Sequence, residues 1–353
     1  MKHILLLLSI LFFSVIGASQ TDEYVLTDTL TKEFNLFGRE KPLSFTLKSD
    51  FRKFRKEKYK GKYQKAQLIY KINDSTEINK EVRIKARGEF RRRHCSLPPI
   101  RLNWRKKDVV KKELSKYYKL KMVTHCNNSK YYKVYILKEF LCYKLYNILT
   151  DMSFKVQLID VKYIDTGNKK KNEHITYAFF IEDLDMLAER NNALVIESEK
   201  LGIRNVEKQN IMQLAFFQFM VGNADWSITG LHNIKLIKSK DYQQTKAWAI
   251  PYDYDYCGMV NASYAIPGES KLNVKSVTER VYLGICQPES EFKSVIEQFN
   301  KHKDEFYDEI NNFKYLDPRN KKEMIEYLDE FYKTIASKNF YNSYLKAHCK
   351  RVD

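Results

Sequence analysis

The sequence predicts an α+β fold with a β-rich N-terminal lobe and a mainly helical C-terminal lobe. Segments that alternate apolar and polar residues dominate the first 125 residues, which is typical of half-buried strands. One long amphipathic segment follows at 134–149, and helical periodicity dominates after about residue 205. With 353 residues and 44% hydrophobic composition, the chain can bury one large core or two modest ones.

The elements of this fold follow from their periodicity and their flanking turn residues. Asp50 is placed to cap a basic helix over 51–60. Other helices are predicted at 134–149 and 183–191, from about 205 to 221, and through the tail at 290–349. Strands are predicted at 43–50, 65–72, 80–90, 100–104, 117–125, 154–165 and 174–183, with a later hairpin formed by IKLI and AWAI.

The N-terminus predicts a signal peptide over residues 1–19. Lys2 and His3 precede an apolar run of 13 residues, ILLLLSILFFSVI, and the small residues GAS follow it. The alternative interpretation is an uncleaved membrane anchor. We therefore expect an exported protein located in the periplasm, at the cell surface or in the medium.

The net charge of +18 indicates an anionic partner. The basic residues concentrate in 51–65, 87–95 and 105–112, so an anionic envelope polymer, a membrane surface or nucleotide phosphates are the expected partners. A solvated basic surface is the simpler alternative. Nucleic acid is disfavoured, because export separates the chain from it and no zinc-knuckle or RNP motif occurs.

Six cysteines in an exported chain predict disulfides. The pairs Cys95–Cys126 and Cys257–Cys286 are expected from their placement in neighbouring polar segments and around one loop. Cys142 lies on the apolar face of the helix at 134–149, so we expect a free, buried thiol there.

The segment 216–258 carries the residues with the clearest chemistry. An apolar helix leads to Asn223 and Asp225, and a hairpin then presents oxygen-bearing side chains at its two ends. Magnesium prefers such hard oxygen ligands and often binds one or two carboxylates together with substrate phosphates. The candidates are Asn223, Asp225, His232, Asn233, Asp253 and Asp255.

Several segments together resemble the CotH-type family of atypical protein kinases. The resemblance covers roughly residues 80–285, and its most specific parts are GNADW…HN and IPYDYDYCG. VRIKARGEF, IRLNW, YKLKMV, LKEFLCYKLYNIL and YAFFIED resemble the strands and the helix of that family. The resemblance implies a two-lobed protein-kinase-like fold, with an N-terminal lobe over 20–183 and a helical C-terminal lobe over 184–353.

The resemblance also implies roles for individual residues. Asp225 would orient or deprotonate the acceptor, while Asn233, Asp253 and Asp255 would bind the metal. The spacing from Asp225 to Asn233 is eight residues, whereas kinase catalytic loops have about five. The nucleotide would contact either Lys119 or Lys121, paired with Glu139 on the helix, together with Glu182 at the hinge and Arg87 and Gly88 in a turn.

These implications predict an exported transferase that uses ATP and Mg²⁺ (or Mn²⁺). Its acceptor would be a secreted or surface protein or a saccharide of the envelope. Three alternatives stay open from the sequence: a non-catalytic protein that binds an envelope polymer or a cation, an AMP or glutamate transferase, and a nuclease or phosphodiesterase.

Overall fold

The computed structural model describes most of the chain downstream of residue 35. The described ranges are 36–71, 77–104, 119–168, 172–197, 201–267 and 274–351. The expected signal peptide over 1–19 and the basic segment 105–112 lie outside these ranges.

Seven strands form a closed barrel in the order β1-β2-β3-β4-β5-β7-β6. Each interior face consists of apolar residues at alternate positions, such as Ile84 of β3 and Leu120 of β5, and this alternation is what the sequence predicted. The strands are β1 Leu43–Ser49, β2 Gln64–Lys71, β3 Glu77–Ala86, β4 Ile100–Asn103, β5 Lys119–Val123, β6 Val156–Asp165 and β7 Asn172–Ile181.

The barrel closes through a parallel pairing between its first and sixth strands. Leu43 lies opposite Ile159, and the register continues to Ser49 opposite Asp165. All the other pairings in the barrel are antiparallel. The closing pair joins segments more than one hundred residues apart, so no local pattern in the sequence indicates it.

Helices pack mainly on one outer side of the barrel. The longest, α3, lies against β6 and β7 and shares a large apolar core with the C-terminal helices. Asp50 caps the first helix as predicted, because its carboxylate accepts a hydrogen bond from the Lys53 N–H at 2.7 Å. The helices are α1 Phe51–Lys56, α2 Phe90–His94, α3 Lys130–Leu149, α4 Leu184–Arg190, α5 Lys208–Val221, α6 Glu289–Lys301, α7 Lys303–Asn311, α8 Pro318–Ile335 and α9 Lys346–His348.

A second sheet of three strands follows the barrel in the chain. It consists of β8 Ala193–Ile196, β9 Ile234–Ser239 and β10 Ala247–Pro251, in the order β10-β9-β8. The hairpin of β9 and β10 confirms the prediction from IKLI and AWAI, with Leu236 opposite Ala249. The strand β8 was not predicted.

The prediction of a two-lobed protein-kinase-like fold is wrong. The structure has a closed seven-stranded barrel, a separate three-stranded sheet and surrounding helices. The elements were mostly identified, but their order along the chain does not determine how they pair. The parallel contact of β1 with β6 converts the expected β-rich lobe into a barrel.

Two disulfides lie in the described part of the chain. Cys95–Cys126 confirms one predicted pair, whereas Cys286 pairs with Cys349 rather than with Cys257. Cys257 instead lies in the core beside Cys142, with the two sulfurs 3.8 Å apart and both thiols free. Disulfides persist in oxidising compartments, so these bonds support export from the cytoplasm.

Among the described helices, none combines the length and the apolar character needed to cross a membrane.

Candidate functional site

The loop after α5 holds Asp225 in a fixed network. Gly222 ends the helix in a left-handed conformation with φ 69°, and the Asn223 side chain then accepts a hydrogen bond from the Asp225 N–H at 2.9 Å. The Asp225 carboxylate contacts His232 Nε2 at 2.8 Å and accepts a bond from Asn233 Nδ2 at 3.0 Å. Asp225, His232 and Asn233 therefore form one partly exposed group of an acid, an imidazole and an amide.

The other end of the hairpin presents Asp253. Its φ of 67° lies in the left-handed region, which is strained for a residue other than glycine and is often found at functional sites. The Asp253 N–H donates to the Tyr143 hydroxyl of α3 at 2.8 Å, which holds the backbone in this conformation. Within the described residues, no hydrogen-bond donor is found for the Asp253 carboxylate, so its oxygens are available to a ligand.

The two acidic loops are joined through the backbone. Gly258 N–H donates to the Gly222 carbonyl at 3.0 Å, and Met259 N–H donates to the Val221 carbonyl at 3.0 Å. A side chain at Gly222 would also meet the Tyr327 hydroxyl, because an added Cβ would lie 1.9 Å from it. The two backbone hydrogen bonds hold the end of α5 against the turn that follows Asp255, and the closeness of Tyr327 leaves room only for glycine at position 222.

A buried arginine links the acidic loop to α3. Arg91 of α2 donates from Nε to Asp255 at 2.7 Å and from Nη2 to Glu139 at 2.5 Å. All three side chains are less than one-tenth exposed. Burial, and to a lesser extent the Asp255 charge, raises the pKa of Glu139 to about 7 in spite of Arg91. The second oxygen of Glu139, Oε1, is buried without a hydrogen-bond partner.

The barrel strands and the turn after β3 contribute three neighbouring cations, Arg87, Arg101 and Lys121. Arg101 of β4 lies directly opposite Lys121 of β5, so two positive charges are cross-strand neighbours. The alternating burial of both strands places these side chains outside the barrel. Burial, together with the charges of Arg87 and Arg101, lowers the pKa of Lys121 to about 8. Within the described residues, none of these three cations forms an ion pair.

Asp253 and Arg87 lie on the boundary between the two charge groups. Burial raises the pKa of Asp253 well above its usual range, and the neighbouring Asp255 charge adds to this effect. Burial lowers the pKa of Arg87, which the Asp253 charge partly offsets. Asp225 belongs to the same electrostatic environment, because both Asp255 and Asp225 contribute to the raised pKa of Tyr256.

Glu182, Lys119 and Gly88 complete the predicted set of nucleotide-contacting residues. Glu182 is buried, and its carboxylate accepts hydrogen bonds from Arg190 at 2.9 and 3.0 Å and from the Lys155 N–H at 3.1 Å. These bonds occupy both of its oxygens. Lys119 lies opposite Asn103, two residues along β5 from Lys121. Gly88 adopts a φ of 76°, which explains why a glycine follows Arg87.

The sequence analysis missed the residues that connect the site. The predicted partner of Glu139 was Lys119 or Lys121, whereas the structure pairs Glu139 with Arg91. Arg91 lies in the run RGEFRRRHC, which was assigned to a basic surface, and nothing in that run distinguishes the one buried arginine. Tyr143 lies in the amphipathic segment 134–149, and nothing in the sequence distinguishes its hydroxyl.

The side chains available here suit a magnesium ion, which keeps several water ligands, better than a metal that is bound by protein side chains alone. Among the described residues, no group of three or more His, Cys, Asp or Glu side chains is placed to hold a metal. Magnesium needs only one or two carboxylates because it retains water and binds substrate phosphates. Among the described residues, the Asp253 carboxylate has no hydrogen-bond donor and could serve as such a ligand, whereas Glu139 is already paired with Arg91.

No known protein family matches the chain, and no curated protein matches it either.

Proposed function

We propose that the chain is an exported, Mg²⁺-dependent phosphotransferase that uses ATP. The observation that carries this proposal is the group of unpaired cations, Arg87, Arg101 and Lys121, beside the free carboxylate of Asp253. Clustered cations without carboxylate partners attract phosphate oxygens. A neighbouring carboxylate without a donor attracts the cation that accompanies a nucleotide. The resemblance to CotH-type kinases in GNADW and IPYDYDYCG agrees with this chemistry and stays a prediction.

The side chains divide the work of the reaction. Arg87, Arg101 and Lys121 would hold the phosphates, and Asp253 would bind Mg²⁺, with Asp255 fixed behind it by Arg91. Bound Mg²⁺ would supply charge neutralisation on the phosphoryl oxygens. Asn233 would use its amide oxygen, since its Nδ2 is occupied by Asp225. This division extends the predicted metal group with cations from the barrel.

Asp225 and His232 would act on the acceptor. In the transfer step, the acceptor hydroxyl oxygen forms a bond to the γ-phosphorus while the bond to the β,γ-bridging oxygen breaks and ADP leaves. The acceptor proton passes to the Asp225 carboxylate, which His232 orients through its 2.8 Å contact. Both side chains are partly exposed, which suits an acceptor that arrives from solvent.

The first test is a thermal-shift titration of the full chain with ATP, with and without Mg²⁺. ATP at one hundred times its dissociation constant should stabilise the protein by about 2.7 kcal/mol, and Asp253→Asn should abolish the Mg²⁺-dependent part. Asp241→Asn, an exposed acid at the opposite end of the hairpin, is the matched control. The absence of a shift at millimolar ATP and Mg²⁺ would contradict the proposal.

Transfer is tested separately with γ-labelled ATP and cell-envelope protein or glycan fractions. Asp225→Ala should retain the nucleotide shift and lose label transfer, because Asp225 contacts the acceptor rather than the nucleotide. Release of ADP supports phosphoryl transfer, whereas pyrophosphate and AMP attached to the acceptor would indicate an AMP transferase. Envelope fractions are the relevant source if the chain resides in the periplasm, at the cell surface or in the medium.

A non-catalytic polyanion-binding protein is the second candidate, and one observation favours it. Lys85, Arg101 and Lys121 lie opposite one another across β3, β4 and β5, and Arg83 lies on the same outer face. Such a row suits a repeating anionic polymer as well as a triphosphate. Binding of polyphosphate without any ATP shift, lost in Lys85→Glu, would favour this candidate over the phosphotransferase.

A further inference from the structure

A cavity with a volume of about 350 Å³ lies at the start of α5, away from the acidic loops. It opens between the first turns of α5, the segment after α3, the strand β10 and the helix α6. The helix α5 has 14 residues, so about 20 Å separates its first turn from the loop that holds Asp225. The cavity is therefore a candidate ligand site distinct from that of the proposed phosphotransferase.

The lining of this cavity is almost uncharged, although the whole chain has a net charge of +18. Glu207 is the one ionisable residue among those that line it, and its carboxylate caps α5 by accepting the Asn210 N–H at 2.6 Å. The positive end of the helix dipole balances a carboxylate in that position. Beside the cavity, Lys208 pairs with Glu291 at 3.1 Å. An ionic ligand would therefore find no unmatched charge here.

Three glutamine side chains supply polar groups that a ligand can reach. Gln209 is exposed, and Gln213 and Gln298 are partly exposed. Within the described residues, the amides of Gln209 and Gln298 form no hydrogen bond, while Gln213 donates only to the Leu149 carbonyl at 3.5 Å. Each amide both donates and accepts, which is the pairing that a hydroxyl group needs.

Trp248 of β10 gives the cavity an aromatic wall. Its side chain is partly exposed, and among the described residues no other aromatic ring and no cation packs on the indole. The indole N–H has no acceptor in the same part of the chain, yet it is not sealed in the core, whereas the Trp226 N–H is. Tryptophan side chains that are apolar on the face and polar at one edge are enriched at binding interfaces.

We propose that this cavity binds a neutral sugar ring. Its volume is about twelve times the roughly 30 Å³ that one water occupies in the liquid, and small-molecule sites in proteins begin at about 300 Å³. The apolar C–H face of the ring would lie on Trp248. Neighbouring hydroxyls would donate to and accept from the amides of Gln209, Gln213 and Gln298.

A peptide is the other neutral ligand with many hydrogen-bonding groups, and the structure disfavours it. An extended peptide binds by adding its backbone to the free edge of a sheet. β10 is an edge strand, but the Asn210 side chain already bonds both the N–H of Ala249, at 2.7 Å, and its carbonyl, at 3.3 Å. The polar groups that stay open are side-chain amides around one indole, which suits a ring of hydroxyls.

The test is saturation-transfer NMR on the full chain with four neutral sugars: D-glucose, D-galactose, D-mannose and N-acetyl-D-glucosamine. D-Glucuronate is the charged counterpart of glucose, and N-acetyl-trialanine amide is the peptide probe. We expect saturation transfer to at least one neutral sugar, and none to glucuronate or to the peptide. Trp248→Ala should weaken the binding of that sugar at least about tenfold, because the aromatic wall is lost.

Gln298→Ala keeps the test valid if Trp248→Ala does not fold, because the Gln298 side chain is partly exposed. It should weaken the sugar about twofold to tenfold, which is the contribution of one neutral hydrogen bond. Gln243→Ala, in the exposed turn between β9 and β10, is the matched control. The proposal is overturned if no neutral sugar binds, if glucuronate or the peptide binds in their place, or if Gln298→Ala binds as tightly as Gln243→Ala. None of these outcomes depends on ATP binding or transfer.

Discussion

Arg91 and Arg101 both lie near Arg87, yet their surroundings are opposite. Arg91 is buried between Glu139 and Asp255 and donates to both. Arg101 lies outside the barrel beside another cation, Lys121, and has no ion-pair partner among the described residues. The charge of Arg91 is therefore balanced by two acids, whereas Arg101 lies beside a second positive charge.

This difference predicts that Arg91 stabilises the fold, whereas Arg101 serves the binding of an anion. A buried charge that loses its partner is strongly destabilising, so the contacts of Arg91 are needed to keep the acidic loop and α3 together. Unpaired neighbouring cations repel one another, so Arg101 and Lys121 weaken the folded state until an anion reaches them. The contrast predicts opposite responses when each charge is removed.

The largest effect is expected for Arg91→Ala. Glu139 and Asp255 would be left as two buried acids without a counter-charge, which should reduce the free energy of unfolding by about 3–5 kcal/mol. Urea denaturation measures this loss. Arg93→Ala is the control from the same helix, because Arg93 forms only an exposed pair with Glu89. Equal stability of the two variants would contradict a structural role for the buried pairs of Arg91.

The next effect concerns nucleotide binding through Lys121. Its pKa of about 8 means that the free protein loses this charge as the pH rises through that value. One charge-assisted hydrogen bond contributes about 1.5–3 kcal/mol, so the ATP dissociation constant should increase at least about tenfold above that pH. Calorimetric titration across this range measures it. The same increase in Lys121→Met would assign the pH dependence to another group.

A smaller effect is expected from the titration of Glu139. Its folded pKa of about 7 exceeds the ordinary value of 4.5, so the folded state binds the extra proton between these values. Stability should therefore fall as the pH rises through this window, by at most about 1.4 kcal/mol per pH unit. Glu139→Gln should flatten that slope in denaturation curves recorded at several pH values. If the pH dependence of stability is unchanged in Glu139→Gln, a group other than Glu139 binds the extra proton.

The smallest effect is expected for Arg101→Gln. Removing one of two opposed positive charges should raise the free energy of unfolding by about 0.2–1 kcal/mol, while ATP binding weakens. Thermal denaturation with and without ATP measures both changes on one sample. A loss of stability in the absence of ATP would show that Arg101 is neutralised by the fold, as Arg91 is.

The sequence predicted the elements much better than their arrangement. Alternating apolar residues identified the barrel strands, because an interior face leaves a period of two in the sequence. That pattern contains no information on which edges meet, so the parallel pairing of Leu43 with Ile159 and the closed barrel were not predicted. The disulfide between Cys286 and Cys349 was missed for the same reason.

In the candidate site, too, single residues could be predicted from the sequence but their partners could not. The acidic and amide residues of the hairpin could be named as candidates, because their chemistry is evident from residue type alone. Arg91 was not, since three consecutive arginines look alike in the sequence and only the fold buries one of them. Glu182, which the resemblance placed at the hinge, accepts hydrogen bonds from Arg190 in the structure, and nothing in the sequence indicated that partner.

The disulfide between Cys286 and Cys349 determines how the protein would carry mechanical load. It closes a covalent ring over a separation of 63 residues, which contains the helices from α6 to α9. Lys350 N–H donates to the Gly284 carbonyl at 2.8 Å, so backbone hydrogen bonds reinforce the closure. Tension applied at Cys349 would pass straight to Cys286 and bypass these helices. With the bond intact, about 210–230 Å of chain would be withheld from extension.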